Sequence, residues 1–211
     1  MKLTTSIAFF LLLCTYILQA QPMPDATPSF ERSVLVKIPE STGPQKLSVA
    51  ISELMQDLSP ADFGEDFLKK IAEAEKTHTS GEYIEHWPNG QIKIKAAFKN
   101  GYADGHIHGW YANGKEAFKG FFKEGIKLGI HISFRDTKPQ RTSSQAALIL
   151  VYNEQGQLHG EQITAYHEGS LESLTTYKNG VLHGQKIWSN IEGRRLQEWL
   201  YENGKLVTPK K

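Results

Sequence analysis

The sequence has only one cysteine, Cys14, so no disulfide can form within one chain. This cysteine lies in an apolar run from Ile7 to Leu18, and Ala20 follows shortly after. The run is shorter than the roughly 20 apolar residues that a membrane-spanning helix needs. The pattern is typical of a secretory signal peptide over residues 1–20, cleaved after Ala20. We therefore expect an exported protein, periplasmic or extracellular.

Cys14 also raises the alternative of a lipoprotein anchor. Such sites need a small residue directly before the cysteine, whereas Leu13 stands there and the apolar stretch continues beyond it. We therefore favour cleavage after Ala20, which removes the cysteine with the signal peptide. Packing and hydrogen bonds alone must then hold the mature protein together in an oxidising compartment.

The sequence lacks a surplus of charge of either sign. Once Lys2 is removed with the signal peptide, 23 of the 24 basic residues remain against 23 acidic residues. The overall charge therefore gives no reason to expect nucleic-acid binding. The sequence also lacks a second membrane-length apolar run, a nucleophile elbow, a Walker loop and a dinucleotide fingerprint. We expect a protein that is not an enzyme and that needs no cofactor.

The chain between the signal peptide and residue 80 falls into two parts. Residues 21–48 are polar and rich in proline, which is typical of a linker, and a helical pattern follows over residues 49–80. The first helix carries an apolar stripe of Ile51, Leu54, Met55 and Leu58. A second helix is predicted to begin at Ser59–Asp62, with a stripe of Phe63, Phe67, Leu68 and Ile71. Two short amphipathic helices must dock on another part of the chain.

Glycines recur regularly from Gly81 onward, at successive spacings of 9, 11 and 4 residues, which make a repeat of 24 residues. The series runs through glycines 81, 90, 101, 105, 114, 125 and 129 and resumes through 160, 169, 180, 184, 193 and 204. The gap from 129 to 160 is one unit plus seven residues, and the polar stretch at 138–145 is the natural place for an insertion. The sequence therefore predicts five units over residues 81–207, with Gly156 and Gly160 closing the interrupted third unit.

Each unit has the pattern of two strands, with period-two alternation and Asn-Gly turns that indicate β-hairpins. Two columns recur across units and are expected to form cross-strand ladders. The aromatic column contains Phe98, Phe122, Tyr177 and Tyr201, with Asn153 as the exception; the isoleucine column contains Ile84, Ile132, Ile163 and Ile187, with His108 as the exception. The predicted fold is mainly β, an extended single-layer antiparallel meander of five 24-residue hairpin repeats and about ten strands, preceded by a short two-helix segment.

Units such as GHIHGWYANGKEAFKGFFKEGIKLG and GEQITAYHEGSLESLTTYKNGVLHG resemble the bacterial MORN-variant repeat. That repeat recurs in proteins described as YwqK-type antitoxins of toxin–antitoxin systems. The resemblance covers residues 81–207. It implies a meander of β-hairpins in an extended sheet, and a protein that binds and neutralises a toxin.

Lysines form two pairs that lie one repeat apart and are expected to stack in register: Lys95 with Lys119, and Lys99 with Lys123. The helical segment 52–75 is acidic. Three interpretations stay open: solvated surfaces, docking of the acidic helices beside the basic units, and binding of an anionic surface such as lipid headgroups or an envelope polymer. Exposed ion pairs contribute little, so charge alone does not rank the last two.

Histidines suggest a metal site but do not complete one. His106 and His108 are two apart in a strand and share a face, yet zinc needs further ligands that the neighbouring sequence does not supply. His159 and His183 occupy equivalent positions in LHG sequences, so the array separates them by a hairpin's width. We expect structural roles for all four and no metal.

Aromatic residues occur on both faces of the early sheet. Some stand five and others six residues after the glycine that opens a unit (Gly81, Gly105 or Gly129), and neighbouring residues of a strand face opposite sides. One face is expected to pack on the helices, and the other offers a recognition surface. The residues predicted to bind a protein partner are Trp87, Trp110, Tyr111 and Phe134. The predicted function is a secreted, non-enzymatic scaffold that binds a protein in an antitoxin-like or immunity-like role. The alternative is peripheral attachment to an anionic membrane or envelope surface through the lysine columns.

Overall fold

The computed structural model describes residues 43–56, 63–64, 66–136 and 145–207, all within one compact unit, Pro39–Lys211. The predicted signal peptide and almost all of the predicted linker lie outside these residues. The predicted helix start at Ser59–Asp62 and, apart from Gln145, the predicted insertion also lie outside them. What the sequence indicates for those segments stays a prediction.

In the described part of the chain two helices precede the sheet, α1 over Leu47–Leu54 and α2 over Phe67–Thr77. Each buries an apolar stripe, formed by Leu47, Ala50, Ile51 and Leu54 in α1 and by Phe67 and Ile71 in α2. The expectation of two helices is confirmed, but that of one continuous second helix from Ser59 to Thr77 is wrong. Gly64 has a φ of 79°, outside the helical range, so the helix that carries Ile71 begins only at Phe67.

Twelve strands follow the helices. They are β1 (Gly81–His86), β2 (Ile92–Lys99), β3 (Tyr102–Ala103), β4 (Gly105–Trp110), β5 (Glu116–Lys123), β6 (Ile126–Arg135), β7 (Gln145–Tyr152), β8 (Gly160–Ala165), β9 (Leu171–Lys178), β10 (Val181–Ser189), β11 (Arg195–Glu202) and β12 (Lys205–Val207).

All twelve strands belong to one open sheet in which each strand pairs with its sequence neighbour, in antiparallel orientation. The departure is β3, which pairs only with β2, while β2 also pairs with β4. The predicted single-layer antiparallel meander is confirmed. The strand number exceeds the expected ten because the short β3 and β12 continue two of the hairpins.

Four connections, all following the second strand of a hairpin unit, are tight turns in which a residue with positive φ precedes a glycine with positive φ. They are Asn100–Gly101, Glu124–Gly125, Asn179–Gly180 and Asn203–Gly204. Two consecutive positive φ values are the signature of a type I′ hairpin turn, which matches the twist of the flanking strands. The glycine N–H then bonds to the preceding unit, as from Gly180 to the carbonyl of Leu158 at 2.8 Å. These glycines therefore join neighbouring units as well as strands.

The aromatic column forms cross-strand pairs with the glycines that open each unit. The pairs are Gly81 with Phe98, Gly105 with Phe122, Gly129 with Tyr152, Gly160 with Tyr177 and Gly184 with Tyr201. The assignment of Asn153 as the exception is therefore wrong, because Tyr152 fills the column. The interval from glycine to aromatic is 17 residues in four units and 23 in the third. Six inserted residues thus lie between β6 and β7.

The seventh inserted residue lies between β7 and β8. The interval from the aromatic to the next opening glycine is 8 residues after Tyr152, compared with 7 after Phe98. This extra residue changes the turn: the N–H of Gly156 donates to the carbonyl of Asn153 at 3.0 Å, and no positive-φ residue precedes this glycine in the described turn. Gly156 and Gly160 therefore do not form a closing pair like those of the other units.

The core lies between the helices and one face of the sheet, called here the helix face. Phe63, α1 and α2 pack on buried side chains of β2, β4 and β5, which include Ile94, Ile107, Phe118 and Phe122. The Ser133 hydroxyl of β6 donates to the carbonyl of Leu54 at the end of α1, at 2.8 Å. This core contains no described residue of β8–β12. The opposite side of the sheet is called the far face.

Candidate partner-binding surface

One position in each of the first four units bonds to the next unit, and it lies six residues after the opening glycine. The indole N–H of Trp87 donates to the carbonyl of Trp110 at 2.8 Å, and the hydroxyl of Tyr111 donates to that of Phe134 at 2.7 Å. Arg135 donates in the same way to Ala165, and Tyr166 to Ser189. These side chains stabilise the contact between successive hairpins, and the acceptor always lies five residues after an opening glycine.

Two of the four aromatics predicted to bind a partner therefore have structural contacts on the helix face. The Phe63 ring lies 5.7 Å from Trp87 and 6.1 Å from Tyr111, measured between ring centroids. Tyr111 is only 5% exposed, whereas Trp87 is partly buried beside the core. The expectation of an accessible binding surface is wrong for Tyr111, because Phe63 covers its ring.

The other two predicted aromatics behave differently from one another. Phe134 is 8% exposed, so an accessible surface is wrong for this residue too, and the Lys119 ammonium lies 5.2 Å from its ring centroid. Trp110 is half-buried on the far face, with its ring centroid 3.9 Å from that of His108. Trp87 and Trp110 are both partly exposed, and partner binding at these two residues stays a prediction.

The first lysine pair lies on one cross-strand row of the far face. Lys95 pairs with His108, and His108 pairs with Lys119, so the predicted register is confirmed with a histidine between the lysines. The row continues through isoleucines of the predicted column: Ile84, Lys95, His108, Lys119, Ile132, Ile149, Ile163, Leu174, Ile187 and Glu198. It is basic over the early strands and aliphatic over β6–β10.

Carboxylates accompany this row of lysines. Lys95 lies 2.8 Å from Glu82, and Lys119 lies 3.3 Å from Glu116. Lys99 and Lys123 are exposed at the ends of β2 and β5. Because the two central lysines have acidic neighbours, the positive potential of the far face is smaller than the lysine count suggests.

His106 and His108 make separate contacts. The His106 ring centroid lies 4.8 Å from that of Phe121, whereas Nε2 of His108 lies 2.9 Å from the Glu116 carboxylate. Burial lowers the pKa of His108, and Glu116 partly opposes this shift. Among the described residues, no three histidine, cysteine or acidic side chains gather where they could hold a metal ion.

The histidines of the LHG sequences contact the turn of the next unit through Nδ1. Nδ1 of His183 lies 3.4 Å from the backbone N–H of Asn203. Nδ1 of His159 lies 3.4 Å from the backbone nitrogen of Asn179 and 3.1 Å from its Oδ1, to which it donates when it carries the proton. Ser80 and Asp104 accept a bond from the equivalent backbone N–H in the first two units. The structural role predicted for these histidines is therefore confirmed.

A buried polar cluster lies under the end of α1. Glu53 and Lys127 form an ion pair, with the Lys127 side chain only 3% exposed, and Gln45 donates to both Glu53 oxygens at 2.8 Å. The ring of His131 lies edge-on to that of Tyr152, and burial lowers the pKa of His131 to about 4. Burial also raises the pKa of Tyr152. These ionic, hydrogen-bond and ring contacts join α1 to β6 and β7.

Beyond that cluster the helix face carries partly exposed side chains, called here the C-terminal strip: Tyr177, Lys186, Trp188, Trp199 and Tyr201. Cross-strand pairing fixes their side of the sheet. Leu148, which lines the recess beneath α1, pairs with Thr164, and the row continues through Ser173 to Trp188. Lys186 pairs with Trp199, and its ammonium lies 5.9 Å from that ring centroid.

The strip did not emerge from the sequence, although a comparison of equivalent positions contains its signal. Counted back five residues from the glycine of each positive-φ turn described above, Ala96 and Gly120 of the covered units correspond to Thr175 and Trp199 of the later units. Small residues are replaced by larger and polar ones where the helices end. Such a change within a repeat marks the units that neither α1 nor α2 covers.

Comparison with known proteins agrees with the repeat. A family model described as MORN repeat variant matches residues 80–100 and 158–179. No curated protein matches the chain. No helix in the described ranges is both long enough and apolar enough to cross a membrane. The two matches fall on the first and fourth hairpin units, so the chain carries MORN-variant repeats at these two places.

Proposed function

We propose that the chain is an exported, non-enzymatic repeat scaffold that binds a protein partner in an antitoxin-like or immunity-like role. Repeats of the matched kind are generally associated with protein or membrane binding. The observation that carries the proposal is the C-terminal strip, where Trp188 and Trp199 are partly exposed beside two tyrosines, on a part of the sheet that neither α1 nor α2 covers. Tryptophan and tyrosine are enriched among the residues that dominate protein interfaces.

The sheet supports binding more readily than catalysis. The recess beneath α1 is small, and its charged groups, Glu53 and Lys127, are already paired with each other. A wide single-layer sheet instead presents side chains in rows, which suits an extended contact with another protein. The signal peptide predicted over residues 1–20 supports a partner in the same exported compartment.

Site-specific photo-crosslinking in the native host tests the proposal. A photoreactive residue is introduced at position 199 on the C-terminal strip, and the matched control carries it at position 200, where the side chain is 50% exposed on the far face. One protein is expected to crosslink from position 199 and not from position 200. The same set of proteins from both positions would contradict binding through the strip. A third variant at position 110 tests Trp110 in the same way.

The antitoxin-like role has its own test. The captured partner is expressed alone and then together with this chain. Growth arrest that co-expression relieves is the expected result, and a partner without any effect on growth would contradict this role. The mature N-terminus, expected at Gln21, is read by mass spectrometry of the exported protein. A chain that retains residues 1–20 would contradict export by this signal.

A further inference from the structure

The fifth unit ends the sheet with an open strand edge. On its outer side β11 pairs with β12 over Leu200–Glu202, and no described strand pairs with that side between Arg195 and Trp199. Such an edge presents unpaired backbone N–H and C=O groups to a further strand. We infer that an extended segment of the protein partner pairs with this edge in antiparallel orientation and places an acidic side chain beside Arg194. The inference rests on the proposed protein-binding function.

The other units show how such a strand would lie. The second strand of each earlier unit pairs with the first strand of the next, as β5 pairs with β6 and β9 with β10. Counted back six residues from the glycine of the positive-φ turn, Lys119 pairs with Ile132 and Leu174 with Ile187. Glu198 holds this position in β11. The partner residue that corresponds to Ile132 or Ile187 is therefore expected opposite Glu198.

The fifth unit also keeps a side-chain donor for a following unit. In the first four units the residue six positions after the opening glycine donates to the next unit, as Trp87 does to the carbonyl of Trp110. Asn190 holds this position in the fifth unit. Its Oδ1 accepts the backbone N–H of Arg194, and its side-chain N–H groups have no acceptor among the described residues. A strand added in the register of the array would supply the missing carbonyl.

A second contact with the following unit comes from the turn between the two strands of a unit. In the second unit Lys115 lies 3.8 Å from Asp136 of the third unit, measured from Nζ to Oδ1. Arg194 is equivalent to Lys115, because each directly follows the middle glycine of its unit. Arg194 is exposed, and its guanidinium has no acceptor within the described ranges. An acidic residue at the position of Asp136 in an added strand would therefore pair with Arg194.

Arg195 gives a further reason to expect an acidic segment. Its Nη1 donates to Glu198 at 3.1 Å, whereas its Nε is buried and has no acceptor in the described part of the chain. A buried donor without an acceptor is destabilising, so an acceptor from a partner would be favourable here. The opposite edge of the sheet differs, because β1 has no lysine or arginine and carries Glu82 and Glu85. The acidic segment is therefore expected at β11 and not at β1.

A second copy of the chain fits this edge less well. Residues 78–80 and β12 hold equivalent positions, the three residues before an opening glycine or before its counterpart at position 208. A second β1 in the register of the array would therefore meet β12 where its own residues 78–80 lie. The chain's own C-terminus is disfavoured by Pro209, which cannot donate a hydrogen bond to β11.

The probe is a synthetic peptide with the sequence of residues 129–136, GIHISFRD, because this segment pairs with β5 and ends at Asp136. Hydrogen exchange of the backbone amides of the wild-type protein, followed by NMR, is the readout. Amides of β11 between Arg195 and Trp199 are expected to exchange more slowly with the peptide present, and those of β1 at an unchanged rate. A control peptide with proline at its fourth and fifth positions cannot complete the strand pairing and should give no protection. An absence of protection in β11, or equal protection in β1, would overturn the inference.

Variants then test the acidic contact. Arg194→Gln in the protein and Asp136→Asn in the peptide should each weaken binding about 2–5-fold, as for an exposed ion pair. Both changes together should weaken it no further, because each removes the same pair. Lys178→Gln is the matched control, since it removes one exposed charge at the end of β9 and should leave the affinity unchanged. Additive losses, or equal weakening by Lys178→Gln, would overturn the placement of the acidic side chain beside Arg194.

Two further results would replace the partner strand by another occupant. Concentration-dependent dimers in analytical ultracentrifugation that the peptide dissociates would identify a second copy at this edge. Binding of the peptide only after deletion of residues 208–211 would identify the chain's own C-terminus there. Either result would overturn the inference.

The two proposals fail separately. A partner that crosslinks from position 199 equally well in the Arg194→Gln variant, together with no response to the peptide, leaves the scaffold function in place and removes the added strand. Peptide protection confined to β11, without any crosslinked protein in the exported fraction, supports the added strand and contradicts the proposed partner in that compartment.

Discussion

The hydroxyl of Tyr111 donates a hydrogen bond of 2.7 Å to the carbonyl oxygen of Phe134, 23 residues later in the chain. Trp87 makes the same connection one unit earlier, from its indole N–H to the carbonyl of Trp110. Both donors lie at the end of a strand, and both acceptors lie in the next hairpin. The aromatic residues at this position therefore hold successive units together through a polar atom as well as through their rings.

Removal of this hydrogen bond should be measurable as a loss of stability. Tyr111→Phe keeps the ring against Phe63 but leaves the buried Phe134 carbonyl without its donor, so we expect a loss of about 1–2 kcal/mol in the free energy of unfolding. Urea denaturation followed by circular dichroism provides the measurement. Tyr201→Phe is the control, because the Tyr201 hydroxyl has no hydrogen-bond partner among the described residues. Equal losses in the two variants would contradict the role of the Tyr111 hydroxyl.

The hairpin array could be predicted from the sequence because its turns need positive φ values, which few residues other than asparagine and glycine adopt readily. A turn with two positive φ values favours Asn-Gly, as at Asn179–Gly180, so the turns recur visibly at fixed intervals. The same regularity misleads in the third unit. The spacing of four between Gly156 and Gly160 predicts a regular closing pair, whereas the extra residue gives this turn a different backbone path.

The exposed part of the helix face, which holds the C-terminal strip, could not be predicted from the sequence. Alternation shows that Trp110 and Tyr111 face opposite sides of the sheet, but not which side the helices cover or how far the cover extends. Phe63 decides the first point by packing on Tyr111 and Phe118. The end of α1 at Leu54, above Ser133, decides the second. Both depend on tertiary packing.

The buried ion pair between Lys127 and Glu53 should respond strongly to the loss of one partner. Lys127→Met leaves a carboxylate beneath α1 without its cation, and we expect a loss of about 3–5 kcal/mol in the free energy of unfolding. Adding Glu53→Met should recover most of this loss, since no unpaired charge then remains buried. Thermal and urea denaturation of the three proteins measure the effect.

The control for this pair is Lys95→Met, whose partner Glu82 lies 2.8 Å away with both side chains about half exposed. Exposed pairs contribute about 0–1 kcal/mol, so this variant should remain close to wild type. A double variant at Lys127 and Glu53 that is no more stable than Lys127→Met would show that shape, rather than charge, determines the loss.

Stability should fall as the pH decreases because of His131. Burial lowers its folded-state pKa to about 4, from 6.5, and the neighbouring Lys127 acts in the same direction, while the bond to the Phe121 carbonyl opposes it. Between these two values the unfolded chain binds a proton that the folded chain does not, so the free energy of unfolding decreases as the pH falls through this window. Below the folded-state pKa the loss stops growing, at about 3 kcal/mol.

His131→Gln should remove this part of the pH dependence, although Glu53 and Tyr152 remain around the site. His167→Gln, on the exposed turn between β8 and β9, is the matched control and should keep the wild-type profile. Urea denaturation midpoints measured from pH 7 to pH 4 compare the three proteins. Identical slopes for all three would place the titrating group elsewhere.

Attachment to an anionic surface can be tested with variants of the far face, because Lys95 and Lys119 each have a carboxylate neighbour there. Glu82 lies beside Lys95 and Glu116 beside Lys119, so we expect the wild-type protein to bind phosphatidylserine vesicles weakly at physiological salt. The double variant Glu82→Gln, Glu116→Gln exposes both cations, and each is worth about 1 kcal/mol near an anionic membrane. Its binding in a vesicle sedimentation assay should therefore increase and then fall steeply with added salt. Strong salt-sensitive binding by the wild type that Lys95→Gln and Lys119→Gln abolish would contradict this expectation, and would favour membrane attachment over the protein-binding scaffold.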